Sequence, residues 1–246
     1  TAHRAHASTE GVAHLASRAV AGFLLVKEMK YLSESLDSPR RPYTAILGGA
    51  KISGKLQVIH SLLNKVDNLL IGGGMAYTFL RAMRMDVGKS LVDESLIGEA
   101  KEIIKKAVDK DVKWLFPFDH IVTDVVGPQG TPSIVTREGF GDKIGVDIGP
   151  STIQMFSNVI RSSGTVFWNG PMGVFEIPQF SQGTINIALT IASSGAVSVI
   201  GGGDSVAAIN KLGIALKFTH ISTGGGASLE MVEGKVLPGI AALTNK

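Results

Sequence analysis

The sequence predicts an α/β protein: a mostly parallel, roughly six-stranded sheet covered by helices on both faces. Three observations carry this. Short apolar runs are followed at once by glycines and then by a helical pattern, and the arrangement recurs along the chain. The runs are β-rich but do not alternate cleanly, which suits strands covered on both sides. Between them, apolar residues step by three and four, the spacing of one helix face. Strands alternating with helices imply right-handed crossovers and a parallel sheet, a Rossmann-like three-layer sandwich.

Taken in order, residues 12–36 form a helical stretch with a break expected around Gly22, a connector between the sheet and whatever comes before it. The first strand is expected at residues 43–47, ahead of Gly48 and Gly49. Ile52, Leu56, Ile59, Leu63 and Val66 then share one helix face. Residues 68–71 lead into Gly72, Gly73 and Gly74. Ile97, Ala100, Ile103, Ile104, Ala107 and Val108 mark another helix, with Lys101, Glu102, Lys105, Lys106 and Asp109 on its solvated face. Residues 112–116, ending at Pro117, read as a strand without glycines. The stretch 119–141 reads as an excursion with a hairpin, 121–126 against 133–136. Residues 165–168 precede Asn169, Gly170 and Pro171, and residues 196–200 precede Gly201, Gly202 and Gly203. A weaker copy at 218–221 precedes Gly224, Gly225 and Gly226.

Composition excludes several classes. Of 246 residues 44% are hydrophobic and 18% charged, with 30 glycines, which is neither a disordered chain, a coiled coil nor a collagen-like repeat. With no cysteine there is no disulfide scaffold, thiolate metal site or Cys nucleophile, and the usage suits a reducing, cytoplasmic compartment. A net charge of +3 and few aromatic residues give neither the basic footprint nor the stacking platform of a nucleic-acid binder. No run reaches the roughly 18 apolar residues of a membrane-spanning helix. The chain opens without an initiator Met or a leader pattern and reads as part of something longer.

In a parallel sheet all strand-to-helix turns emerge at the carboxyl edge, where ligands bind. Glycines there let backbone approach a ligand and turn N–H groups toward an anion. Five such turns make a phosphate-rich ligand the leading reading, against the alternative that glycines merely close tight turns. No G-x-G-x-x-G is present. Gly49 to Lys55 satisfies G-x-x-x-x-G-K, but Leu56 stands where the P-loop needs a hydroxyl for magnesium. Lys51 and Lys55, four apart at a helix mouth, are placed to reach the same phosphate chain, or else are solvated surface lysines. Asp204 is a helix N-cap or a carboxylate for Mg²⁺ at nucleotide oxygens. Glu176 is a surface residue or a partner for ribose hydroxyls. His3 and His6 have H-x-x-H spacing without a third ligand nearby, and no G-x-S-x-G elbow occurs.

Five segments become specific: GGAKISGK at 48–55, GGGMAYTF at 72–79, WNGPMGVFE at 168–176, GGGDS at 201–205 and STGGGASLE at 222–230. In this order and approximate spacing the chain resembles the carboxy-terminal, nucleotide-binding domain of the phosphoglycerate kinase family over essentially its whole length. Residues 1–11 then look like a remnant of the amino-terminal substrate domain, 12–37 the interdomain connector, 38–232 the nucleotide-binding domain, and 233–246 a tail packing toward the other domain.

The resemblance implies roles. Lys51 sits beside the phosphoryl group in flight, with Gly203, Gly224, Gly225 and Gly226 giving it backbone N–H groups. Lys55 holds nucleotide phosphates. Gly49, Gly72 and Gly73 border adenine and ribose, and Asn169, Pro171 and Val174 line the pocket with Glu176 on the ribose. Gly202 and Ser205 belong to the phosphate turn, Asp204 binds Mg²⁺, and His3 and Arg4 touch 3-phosphoglycerate. ADP or ATP and Mg²⁺ are the implied substrate and cofactor, and the implied protein is a cytoplasmic monomer acting in glycolysis. The chain departs from the pattern at Ser205, where Thr is common, and at Gly54, where Asp is common. The amino-terminal domain, with its basic residues, is absent, so the chain alone is expected to bind nucleotide but turn over poorly. A nucleotide-binding module without catalysis stays open beside the kinase reading. An unrelated phosphate-sugar enzyme or dehydrogenase would need a dinucleotide fingerprint or an acid/base pair, and neither is seen.

Overall fold

A computed structural model describes residues 2–244 of the chain. Thr1 and residues 245–246, the extremes of the expected first and last segments, lie outside the described residues. Six parallel strands make the main sheet: β1 (Tyr43–Leu47), β2 (Asn68–Ile71), β3 (Lys113–Leu115), β7 (Thr165–Asn169), β8 (Val197–Gly201) and β9 (His220–Ile221). Their order is β3-β2-β1-β7-β8-β9. Every residue of β1 and β7 is buried, which is why these runs lack alternation.

Alternation survives instead as a division between two cores. Tyr43, Ala45, Leu47, Leu69, Ile71 and Phe167 join one apolar cluster, while Ile46, Leu70, Val166, Trp168 and Ile200 join another. The first cluster is closed by α4 (Leu56–Leu62), α5 (Met75–Ala82), α6 (Ile97–Asp109) and α10 (Gly226–Val232). The second is closed by α7 (Pro150–Arg161), α8 (Gln182–Ser193) and α9 (Gly203–Lys211). Each fully buried Leu, Ile or Phe in these layers contributes about 1.5–3 kcal/mol. The three-layer expectation and the six strands agree with the structure. At element ends it differs: the last strand is only His220–Ile221, and Val108 on α6 is exposed.

Two local readings need correction. The excursion is a three-stranded antiparallel sheet of order β5-β4-β6, with β4 (His120–Thr123), β5 (Ser133–Val135) and β6 (Ile144–Ile148). The expected hairpin is β4 with β5; β6 is the addition, masked by Gly145 and Asp147, which strands normally disfavour. Gly145 is required because a Cβ there would collide with the Tyr77 hydroxyl. The connector is also more broken than a single gap at Gly22. A π-helical turn (Ala7–Gly11) runs into α1 (Val12–Leu15), and Gly22 caps α2 (Phe23–Met29) from outside. Helix α2 then continues through a π-helical turn (Lys30–Glu34) into α3 (Ser35–Asp37). The closing helix α11 (Pro238–Ala241) packs on the start of the chain, where the Gly239 N–H donates to the Ala2 carbonyl at 2.9 Å.

Candidate functional site

The strand order reverses between β1 and β7, and a doubly wound sheet opens its ligand crevice at that point. The strand ends form one row: Ile71 pairs with Leu47, Leu47 with Asn169, and Asn169 with Gly201. Each of the four is followed by a glycine, so the glycine turns emerge together at the rim.

These turns divide into two kinds. Those after β1, β2 and β7 are interlocked. The Gly48 N–H donates to the Asn169 carbonyl (3.0 Å), Gly49 N–H to Pro171 (2.7 Å), and Gly73 N–H to Met172 (3.0 Å). A Cβ on Gly48 would lie 2.7 Å from the Gly170 oxygen, and one on Gly73 would lie 2.5 Å from the Gly49 nitrogen. Gly72 is pressed against the Met172 sulfur in the same way. The turns after β8 and β9 are open: nothing lies within 4 Å of a Cβ on Gly203 or Gly225. Neither α9 nor α10 carries a side-chain cap, which leaves first-turn N–H groups toward the rim. Gly224 is the intermediate case, its N–H donating to Ser222 Oγ at 3.1 Å.

The lysines part company. Lys51 lies in irregular backbone before the 3₁₀ turn (Ser53–Lys55), is exposed, and makes no hydrogen bond or ion pair among the described residues. Lys55 turns inward, and its ammonium donates to the carbonyls of Gly48 and Asn169, the latter at 3.0 Å. Burial holds its pKa down at about 8, against the opposing pull of the Asp204 charge. The two do not rise from one helix face, because Lys51 precedes the helical turn.

Asp204 is not an N-cap. Gly202 takes that position with φ 87°, and Asp204 follows in the first turn of α9, exposed and free of side-chain hydrogen bonds among the described residues. Ser205 is fully buried, and its Oγ accepts the Gly170 N–H at 2.7 Å, tying the β8 turn to the β7 turn. Asn169 is buried beside Gly201 and Gly202, with its Nδ2 unpartnered.

A cleft of about 320 Å³ opens against this rim. Gly49, Gly73, Pro171, Val174, Glu176 and Asp204 line it. Gly72, Asn169, Gly202, Ser205, Lys55 and Lys51 do not line it. The rest of the lining includes residues that sequence reasoning did not single out: Tyr77 and Leu91, and Ile144, Gly145, Val146 and Asp147 of β6. Tyr77 lay within one of the quoted segments. The β6 residues had no signal once that strand went unread. Asp147 is buried, and burial outweighs the N–H groups of Gly183 and Ile148 to hold its pKa up at about 7.

His3 lies 3.7 Å from the position of a Cβ on Gly226, so the chain start meets the last glycine turn, while Arg4 is exposed. Behind that turn, Glu28 of α2 joins His220 Nε2 (3.1 Å) and accepts the Thr223 N–H (2.9 Å). Tyr31 stacks on the His220 ring. Among the described residues no group of three or more His, Asp or Glu side chains is arranged to hold a metal. One exposed carboxylate, Asp204, suits Mg²⁺ shared with substrate phosphates and water better than an all-protein cage. No helix of the described residues is long and apolar enough to cross a membrane.

The sheet order and the rim define the class, a doubly wound α/β protein of the Rossmann type. The phosphoglycerate kinase family model matches residues 1–235, and the chain belongs to that family. A phosphoglycerate kinase of Clostridium botulinum (strain Hall) is 53% identical over 247 residues, and one of Acidobacterium capsulatum is 52% identical over 251. The solved phosphoglycerate kinase of Coxiella burnetii superposes with a TM-score of 0.94 at 42% identity, covering 98% of this chain and 62% of that one. That of Pyrococcus horikoshii gives 0.88 at 34% identity, covering 99% of this chain and 61% of that one. The chain is matched over its full length and spans 62% of each of these two curated relatives.

Proposed function

We propose that the chain forms the nucleotide-binding part of a phosphoglycerate kinase, transferring a phosphoryl group reversibly between 1,3-bisphosphoglycerate and MgADP to give 3-phosphoglycerate and ATP in glycolysis. The observation that supports this best is the coincidence of cleft and open turn: a base-sized space at the reversal of strand order, with the uncapped first turn of α9 beside it. Adenine and ribose occupy the cleft against Gly49, Gly73, Pro171 and Val174, with Glu176 on the ribose and Gly72 and Asn169 shaping the wall. Lys55, Gly202 and Ser205 serve the nucleotide phosphates, and Lys55 exchanges its carbonyl partners for phosphate oxygens. Lys51, Gly203, Gly224, Gly225 and Gly226 face the transferring group, and His3 and Arg4 face 3-phosphoglycerate.

Transfer is in line and needs no covalent enzyme intermediate, so positioning and charge neutralisation do the catalysis. Asp204 would hold Mg²⁺, which would supply charge neutralisation for the phosphates when bound. Lys51 and the open-turn amides do the same by hydrogen bonding, each such contact being worth ~10²–10³ in rate. The triose is bound by a separate amino-terminal domain of the same cytoplasmic, monomeric enzyme, and closure brings the substrates together. A coupled assay tests this. The isolated chain is expected to be nearly inactive, and adding an amino-terminal domain from a relative restores transfer that Lys51→Ala then abolishes. Near-normal turnover by the chain alone contradicts the division of labour. The partial span of its relatives also supports a second reading, a nucleotide-binding module without catalysis, in which complementation restores nothing.

A further inference from the structure

Asp147 sits where two parts of the cleft wall, β6 and the Gly173 turn, meet the start of helix α8. It lies on β6, whose Ile144, Gly145 and Val146 line the cleft beside it. Its Oδ2 accepts the Gly183 N–H at the start of α8 (2.7 Å), and its Oδ1 accepts the Ile148 N–H (2.9 Å). Gly173 and Gly183 both press on the carboxyl so closely that a Cβ on either would collide with it. Gly173 belongs to the turn that carries Pro171, Val174 and Glu176, and the Val174 N–H donates to the Val146 carbonyl at 2.8 Å. The group is only 2% exposed, so the side chain reads as a clamp between β6, that turn and α8.

We propose that Asp147 is a positioning residue whose ionised carboxylate holds the base-side wall of the cleft in its binding geometry, so that nucleoside affinity depends on its charge. The inference rests on the nucleotide reading of the cleft. Both carboxyl oxygens accept main-chain N–H groups, a role the ionised form fills with all its lone pairs. Protonation turns one oxygen into a donor facing an N–H, which loosens the wall. Burial holds the pKa at about 7, inside the physiological range. Two titratable neighbours stay neutral there. Tyr77 on α5 is held protonated by burial and by the Asp147 charge, and His120 behind it is pulled down to about 4 by burial. Helix α8 carries no charged residue, and the other charged cleft residues are Glu176 and Asp204.

Calorimetry on the chain tests it in two arms. MgADP at pH 8 comes first: no binding overturns the nucleotide reading and this inference with it. Adenosine, which has no phosphate to titrate, is then followed from pH 6 to pH 8. Affinity is expected to be roughly fivefold higher at pH 8, and Asp147→Asn is expected to give a weak, flat profile. A flat or reversed wild-type profile, or an Asn variant that keeps the slope, overturns the inference while MgADP binding upholds the nucleotide site. Should the variant not fold, ¹³C titration of the wild-type carboxyls decides. Adenosine must lower the Asp147 midpoint by the factor seen in its own affinity, and an unmoved midpoint contradicts the clamp.

Discussion

The Lys55 ammonium donates to the main-chain carbonyl of Asn169 at 3.0 Å, across the point where the strand order of the sheet reverses. Two adjacent strand ends are thereby bridged by a cation that the nucleotide phosphates are proposed to claim. The depressed pKa, about 8 against 10.5, means that burial takes back what these hydrogen bonds supply.

Lys55→Met is therefore expected to alter stability at pH 7.5 by no more than about 1 kcal/mol, while MgADP affinity falls at least about tenfold. The sign of the pH effect follows. Between about 8 and 10.5 the unfolded chain binds more protons at this site, so wild-type stability rises through that window relative to the Met variant. Urea denaturation of both proteins at pH 7.5 and 10 reads the difference.

Asp204→Ala separates metal from fold. The side chain is exposed and unbonded, so stability should stay within about 0.5 kcal/mol of wild type. Calorimetric affinity for MgADP should drop about tenfold, with metal-free ADP unchanged. Equal losses with and without metal would remove Asp204 from the metal.

Glycines sort by what surrounds them. Gly98, in the first turn of α6, has open space around a Cβ and no positive φ, so Gly98→Ala is expected to stabilise by about 0.5–1 kcal/mol. Gly48→Ala must push a methyl into the Pro171 and Gly170 carbonyls and Met172, and is expected to destabilise by about 3 kcal/mol or more. Chemical denaturation of the two variants measures both.

The buried Glu28–His220 contact fixes the connector against the last glycine turn. Burial pushes the Glu28 carboxyl up, but hydrogen bonds from His220, Thr223 and Ser222 outweigh it and hold the pKa near 2. With the folded value below the unfolded 4.5, its contribution of about 3 kcal/mol is present above pH 4.5 and lost as pH falls toward 2. Glu28→Gln should remove that part of the acid dependence in thermal melts between pH 3 and 7.

The central sheet was legible because β1, β2, β7 and β8 are largely buried runs closed by glycines, a signal carried by neighbours in sequence. Strand β6 was not, because Gly145 and Asp147 are explained only by the Tyr77 ring and the α8 N-terminus, groups distant in the chain. The same divide runs through the site. Glycine turns can be read locally, but whether one interlocks like Gly48 or stands open like Gly203 depends on which loop the topology sets opposite. The inward turn of Lys55 was illegible for that reason too, since its carbonyl partner Asn169 lies 114 residues away.

The most direct test of the account is an amide chemical-shift map of the ¹⁵N-labelled chain titrated with MgADP. Saturable shifts are expected at Gly49, Gly73, Val174, Gly203 and Asp204, with β3 and the outer face of α6 silent. Absence of shifts at the rim, or a response centred away from the β1–β7 crevice, would contradict it.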